Sequence, residues 1–240
     1  MNKSEVAEIL GAFIGDGWIE SRKKAAYILG NKIEDKSYYD NYLAPLFFKN
    51  FKYINVKMFE KWNVYGIAIY RKKIIKILLE LGFPAGKKCY DASIPKYFFN
   101  SKNKKIYSSI IKGLFDADGC FWCEKSRAKT SCEWKRTHHY HPELCITSCS
   151  AILLFQIKEM LDFLGIDSKV AKRNNFQIKN NRNNKEAYIL RVRKLKEIKK
   201  WFKIIGTNNP KHKTKYEVWK KLGYLPTKTT LNERIELLNN

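Results

Sequence analysis

One segment occurs twice in this 240-residue chain, and that repeat constrains the fold more than any other feature. The first copy reads Ile9-Leu10-Gly11-Ala12-Phe13-Ile14-Gly15-Asp16-Gly17 and the second Ile111-Lys112-Gly113-Leu114-Phe115-Asp116-Ala117-Asp118-Gly119. Gly11 matches Gly113, Phe13 matches Phe115, Asp16 matches Asp118 and Gly17 matches Gly119, each pair 102 residues apart. Self-similarity at a fixed period marks a chain assembled from copies of one supersecondary unit.

The order of elements after each copy repeats too. Alternating runs at Trp18–Lys23 and Ala25–Asn31 predict strands, and Ser37–Phe51 predicts a helix. Strand patterns at Ile54–Lys61 and Val64–Arg71 meet at a tight turn, Trp62-Asn63. A helix over Lys72–Leu81 is stopped by Gly82, with Pro84 beyond it. The second half has strands at Cys120–Lys125 and Leu144–Thr147, a helix at Ala151–Leu164 stopped by Gly165, strands at Ser168–Arg173 and Ala187–Arg193, and a helix at Lys196–Ile205. The expectation is an α+β protein of two αββαββα repeats, residues 1–104 and 105–215, joined near the polar run Asn100–Lys105. Residues 216–240 are read as a helical extension, with a capping box at Thr230 and Glu233.

The repeated segments suit helices with an apolar side. Glycine inside a helix costs about 1 kcal/mol relative to alanine, yet Gly11 and Gly15 stand four apart, and Gly113 and Ala117 copy the spacing. Small residues on one face let two backbones approach, so the two helices are expected to pack together, one from each half, about a pseudo-twofold axis. Gly17 and Gly119 are expected to end them in the left-handed conformation. Asp16 and Asp118 then sit at the negative ends of two helix dipoles, at a cost of about 0.3–1 kcal/mol each, and repel one another. A divalent cation relieves both penalties.

Net charge points to the partner. The chain has 47 Lys and Arg against 23 Asp and Glu, a formal charge of +24. That excess adds self-repulsion to the folded state and matches a polyanion, nucleic acid being the commonest. The 45% apolar content makes the chain globular. No signal-like segment or membrane-length apolar run is found, and the six cysteines read as free thiols, so an intracellular, cytoplasmic protein is expected.

Both repeated segments resemble the signature of the LAGLIDADG homing endonucleases. The second is close, with Gly113, Leu114, Asp116, Ala117, Asp118 and Gly119 all fitting; the first closes on Gly15-Asp16-Gly17. The resemblance spans nearly the whole chain. It implies a monomer whose antiparallel, saddle-shaped sheets lie in the major groove of double-stranded DNA. The expected activity is cleavage of one phosphodiester per strand of a long asymmetric site, with Mg²⁺ as cofactor and Mn²⁺ or Ca²⁺ able to occupy the same site. It assigns catalysis and metal binding to Asp16 and Asp118, with Gly15 and Ala117 alongside, and makes Asp116 a feature of the helix. Gly11, Gly15, Gly113 and Ala117 match its helix interface.

Supporting residues are less symmetric. Asn31 and Lys32 are catalytic candidates in the first half and Thr147 and Ser148 in the second, with Lys72 and Lys194 a rival pair. Lys57, Lys61, Lys169, Arg173, Arg191 and Arg193 lie at strand positions suited to base edges or phosphates, and Arg22, Arg71, Lys125 and Arg127 extend that set. The polar loops Ser126–Glu143 and Asn174–Glu186 extend the contacts. A zinc site is conceivable at Cys120 and Cys123, with Cys132, His138, His139, His141, Cys145 and Cys149 following. Two other activities share the resemblance: an intron RNA maturase, and a DNA-binding regulator that does not cut. An intein is not expected, since the first motif begins near residue 9.

Overall fold

The computed structural model describes all residues except 87–88, 125–137, 140 and 174–185. The first half runs α1 (Lys3–Asp16), β1 (Gly17–Ile19), β2 (Ala26–Asn31), α2 (Lys36–Tyr38), a π-helical turn Tyr39–Leu43, α3 (Ala44–Phe51), β3 (Val56–Phe59), β4 (Val64–Ile69) and α4 (Lys72–Glu80). A short α5 (Lys96–Phe99) leads into the second half: α6 (Lys104–Asp118), β5 (Gly119–Glu124), β6 (His138–His139), β7 (His141–Ser148), α7 (Ala151–Phe163), β8 (Lys169–Lys172), β9 (Tyr188–Val192) and α8 (Leu195–Ile204). α9 (Pro210–Leu222), β10 (Leu225–Pro226) and α10 (Leu231–Asn239) complete the chain.

Each half holds one four-stranded antiparallel sheet, ordered β1-β2-β4-β3 and β5-β7-β9-β8. The registers coincide. Gly17 pairs with Ile28 and Ile28 with Ile67; Gly119 pairs with Ile146 and Ile146 with Leu190. Val56 opposite Ile67 corresponds to Val170 opposite Leu190. The fold is α+β, in two matching repeats.

α1 and α6 lie at the centre of one continuous core, where Ile9, Leu10 and Phe13 meet Ile110, Ile111, Leu114 and Phe115. Asn2 and Asn103 cap them, each side chain accepting from N–H groups of the first turn. The long helix of the first half widens into a π turn at Tyr39–Leu43, and Lys52 stops it in the left-handed conformation.

Three local expectations change. β1 covers only Gly17–Ile19, because Lys23 turns the chain at φ 55. Lys61 stands in a 3₁₀ turn, Glu60–Trp62, and not on the strand with Lys57. α9 begins at Pro210 behind its cap Asn209, so residue 215 falls inside that helix and not ahead of it. The capping box at Thr230 forms: Thr230 N–H donates to Glu233 Oε2 at 2.7 Å, and Glu233 N–H to Thr230 Oγ1 at 3.3 Å.

Candidate active site

α1 and α6 end side by side. A Cβ on Gly15 would fall 2.7 Å from Ala117 Cβ and 3.5 Å from Asp118 Cβ. One residue past that contact, Asp16 and Asp118 leave adjacent helix ends.

The glycines that follow do not adopt the left-handed conformation. Gly17 has φ −102 and ψ 160, and Gly119 φ −79 and ψ 167, both extended. Their requirement is room: a Cβ on Gly17 would lie 2.6 Å from the Phe13 ring, and one on Gly119 2.2 Å from the Phe115 ring. Helix passes directly into strand over a phenylalanine, and only a residue without a side chain fits.

Asp16 is half-buried and Asp118 exposed. Burial, then the charges of Asp118 and Asp35, push the Asp16 carboxyl up to about 7, against the opposing effects of Lys211 and of the Tyr39 hydrogen bond. The Tyr39 hydroxyl donates to Asp16 Oδ2 at 3.3 Å. Asp35, buried ahead of α2, accepts from Asn31 N–H at 3.0 Å and Asn209 Nδ2 at 2.8 Å, and pairs with Lys211 Nζ at 2.8 Å.

The segment after α8 ties these parts together. Thr207 Oγ1 donates to Asp116 Oδ1, and Asn208 N–H to Asp116 Oδ2 at 2.9 Å. Asn209 Nδ2 also donates to the Asp116 carbonyl at 2.9 Å. Asn208 Nδ2 reaches Glu8 Oε1 on α1 at 2.9 Å, and Lys112 of α6 pairs with the same carboxylate at 2.9 Å. Asp116 is fully buried, which pushes its carboxyl up to about 7; its work is to hold this segment, well away from solvent.

Asp118 opens on a cleft that Gly15, Thr147, Ser148 and Cys149 also line. The sequence candidates Thr147 and Ser148 are therefore beside it. Asn31 and Lys32 are engaged elsewhere. Asn31 Oδ1 accepts from Ile33 and Glu34 N–H at 2.8 and 3.1 Å, closing a turn, and Lys32 pairs with Glu60 at 3.1 Å. Lys194 pairs with Asp167 at 2.7 Å, and Lys72 is exposed at the start of α4.

Lys211, Asp35 and Tyr39 surround Asp16 and were not found by sequence reasoning. Asn209-Pro210 does signal a helix start. No local pattern says that this helix begins against a repeat some 200 residues earlier in the chain, a separation that Asn208 to Glu8 spans.

The proposed contact residues divide. Lys57, Lys169 and Arg191 lie on sheet faces turned away from the core, with Arg193 just past the end of β9. Lys169 stands directly opposite Arg191. Arg173 extends β8 through its N–H to the Ala187 carbonyl at 2.7 Å. Arg22 is exposed after β1, and the Arg71 guanidinium sits 5.2 Å from the Tyr53 ring. Lys125, Arg127 and most of the two polar loops lie outside the described residues.

Cys120 and Cys123 occupy opposite faces of β5. Cys123 is in the core, while Cys120 pairs across the strands with Cys145. Among the described residues no three His, Cys, Asp or Glu side chains group as metal ligands; Cys132 is outside them. Nor is any described helix long and apolar enough to cross a membrane.

Comparison with known proteins agrees with this architecture. Residues 105–206 match the LAGLIDADG-like domain. The chain is similar to the uncharacterized protein MJ1054 of Methanocaldococcus jannaschii, 26% identical over 232 residues, which cover 92% of this chain and 23% of that protein. It thus spans about a quarter of the length of this curated relative. Among solved structures, the homing endonuclease I-DmoI in complex with DNA and Mn superposes with TM-score 0.56 at 17% identity, over 85% of this chain and 98% of that one. Mesophilic variants of I-DmoI give 0.55 at 16%, over 85% and 96%. Full-length DUF199/WhiA from Thermatoga maritima gives 0.50 at 15%, over 99% and 66%. The chain therefore carries a LAGLIDADG-like domain in its second half and, across both halves, has the two-repeat LAGLIDADG fold.

Proposed function

We propose that this protein is a divalent-metal-dependent endonuclease that hydrolyses one phosphodiester in each strand of a long, asymmetric duplex DNA site. The observation carrying the reading is the meeting of Asp16 and Asp118 across the Gly15–Ala117 contact, with the Asp16 carboxyl pushed up to about 7 by burial and by its neighbour's charge. Such a pair weakens the fold and suits a cation. Two carboxylates, beside the backbone of Gly15 and Ala117, fit Mg²⁺, which takes one or two carboxylates and fills its shell with water and phosphate oxygens. Mn²⁺ and Ca²⁺ accept the same donors. A bound ion supplies Lewis-acid charge and lowers the pKa of attacking water.

The chain's own residues orient that chemistry. The Tyr39 hydroxyl donates to one oxygen of Asp16 and so orients the carboxylate. Asp35 and Lys211 form a fixed ion pair that sets the field at Asp16. The Thr147 and Ser148 hydroxyls line the Asp118 side, where they can position water or a phosphate oxygen. The net charge of +24 supports a DNA partner, as do the I-DmoI structures complexed with DNA. Both motif helices come from one chain, so the site is complete in a monomer. The domains we propose are the two repeats, with the segment from Thr207 onward serving both.

The test is cleavage of a selected duplex site with Mg²⁺ and with EDTA, using wild type, Asp16→Asn and Asp118→Asn. Metal-dependent double-strand cutting by wild type and its loss in each variant are expected. Intact double-strand cleavage in both variants would remove the assignment. Metal-independent binding with no cutting by wild type would favour the DNA-binding regulator.

A further inference from the structure

The two sheets share one register, so each position on the outward face of the first has a counterpart on the second. Trp18 corresponds to Cys120 and Tyr27 to Cys145, since Trp18 pairs with Tyr27 as Cys120 pairs with Cys145. The register of β4 and β9 makes Tyr70 the counterpart of Arg193, and that of β3 and β8 makes Phe59 the counterpart of Arg173. The chemistry at these positions differs. In the first half the rings form one continuous surface: Trp18 stacks on Tyr27 at 4.8 Å, and Tyr27 lies 6.0 Å from Phe59 and 6.0 Å from Tyr70.

The second half places two thiols, Cys120 and Cys145, and two arginines, Arg173 and Arg193, there, with a buried acid beside them. Glu143 is 2% exposed and faces outward between two arginines. Its Oε1 pairs with Arg191 Nε at 3.1 Å, and its Oε2 with Arg193 Nε. The Nε hydrogen bond fixes the direction of the Arg193 guanidinium, and Arg191 is ion-paired beside the same carboxylate. Arg193 keeps half its side chain exposed. An acid among basic residues lowers their attraction for phosphate. Its compensation is orientation, which a base edge needs and a phosphate does not.

We propose that the two halves read different chemistry: the first sheet reads thymine methyl groups in an A·T-rich half-site, and the second reads guanine through Arg191 and Arg193, positioned by Glu143. This rests on the reading of the protein as a site-specific duplex binder. In the major groove thymine alone presents a methyl, which apolar side chains contact, while guanine presents the O6 and N7 acceptors that a guanidinium fork matches. The target is asymmetric because the faces are.

The experiment recovers duplexes from a randomised pool on the full chain in EDTA, so that binding is scored without cutting. The expected sequences have an A·T-rich half and a half with guanine at one or more positions. Deoxyuridine in place of thymine, which removes only the methyl, weakens binding several-fold in the A·T half and not in the other. Arg191→Lys and Arg193→Lys keep the charge and lose the fork, so the preference for guanine falls about ten-fold while the A·T half and the salt dependence stay unchanged. Glu143→Gln relaxes the same guanine positions. The lysine variants carry the test if Glu143→Gln does not fold.

A recovered pool with matching halves overturns this inference and leaves the proposed function standing. So does an unchanged guanine preference in both lysine variants. Equal or tighter retention of single-stranded DNA, whose bases would stack on the aromatic face, overturns it as well. Failure to retain any duplex overturns both readings.

Discussion

Gly11 and Gly113 each rest on the backbone of the opposite helix. A Cβ on Gly11 would fall 2.1 Å from the Ile110 carbonyl oxygen, and a Cβ on Gly113 2.0 Å from the Glu8 carbonyl oxygen. The contact is reciprocal, as pseudo-twofold packing requires. It brings Asp16 and Asp118 together at the far ends of the same helices.

Alanine at either glycine is expected to destabilise the protein. Helix propensity alone favours Gly11→Ala by about 1 kcal/mol. The clash is with rigid backbone, and overpacking of this kind costs about 1–3 kcal/mol. The clash wins, and urea unfolding of Gly11→Ala and Gly113→Ala should show lower midpoints than wild type. Gly15→Ala should cost less, since its neighbour is the Ala117 methyl. Midpoints raised in both of the first two variants would contradict the packing.

Stability without metal should fall as pH rises toward neutrality. Asp16 and Asp116 are each pushed up to about 7, above the ordinary carboxylate range. Between about pH 4 and about pH 7 the folded protein holds protons that the unfolded chain releases, so rising pH favours unfolding through that window. Asp16→Asn removes one of these groups. Its Tm in EDTA at about pH 8 should exceed that of wild type, by about 2–4 °C for each kcal/mol recovered. Mg²⁺ should raise the wild-type Tm and leave that of Asp16→Asn nearly unmoved. Equal Mg²⁺ shifts in the two proteins would place the ion elsewhere.

Lys32 and Lys211 should differ sharply on replacement by methionine. Lys32 pairs with a Glu60 side chain that is 71% exposed, an interaction worth about 0–1 kcal/mol, so cleavage and stability should both persist. The Lys211–Asp35 pair has side chains only 14% and 7% exposed. Removing the cation leaves a buried carboxylate beside Asp16, at a cost of about 3 kcal/mol. Cleavage by Lys211→Met should fall more than ten-fold, and Lys211→Arg should restore part of it. Equal rates for Lys32→Met and Lys211→Met, measured on one supercoiled substrate, would exclude Lys211 from the site.

Asn209 is expected to be the most sensitive position after α8. It is fully buried, caps α9 and donates to both Asp35 and the Asp116 carbonyl. Asn209→Ala leaves those acceptors short of a donor and should cost about 1–3 kcal/mol, read by thermal melting. A change within error would mean that the segment merely lies on the repeats.

Much of this could be read from local pattern. The period-102 repeat, the alternation of β4 and β9 and the glycine stops at Gly82 and Gly165 each record a residue's response to its near neighbours. The capping box at Thr230 is local in the same way. The left-handed caps expected at Gly17 and Gly119 were misread for a physical reason. The sequence shows that a glycine is needed, but an absent side chain meets a backbone requirement and a space requirement equally well. The structure shows that Phe13 and Phe115 set the need for space.

Sequence alone determined that two like units form, that each presents a carboxylate at a helix end, and that the chain carries a large positive charge. Those properties reside in short-range periodicity and composition. Tertiary structure decided which groups surround the carboxylates. Asp35 and Tyr39 come from the helical segment after β2 and Lys211 from α9, while Asn31 and Lys32, adjacent in sequence to the expected place, turn to other partners. Long-range partners are chosen by the competition to satisfy buried polar groups once the helices have packed, and no window of sequence contains that competition.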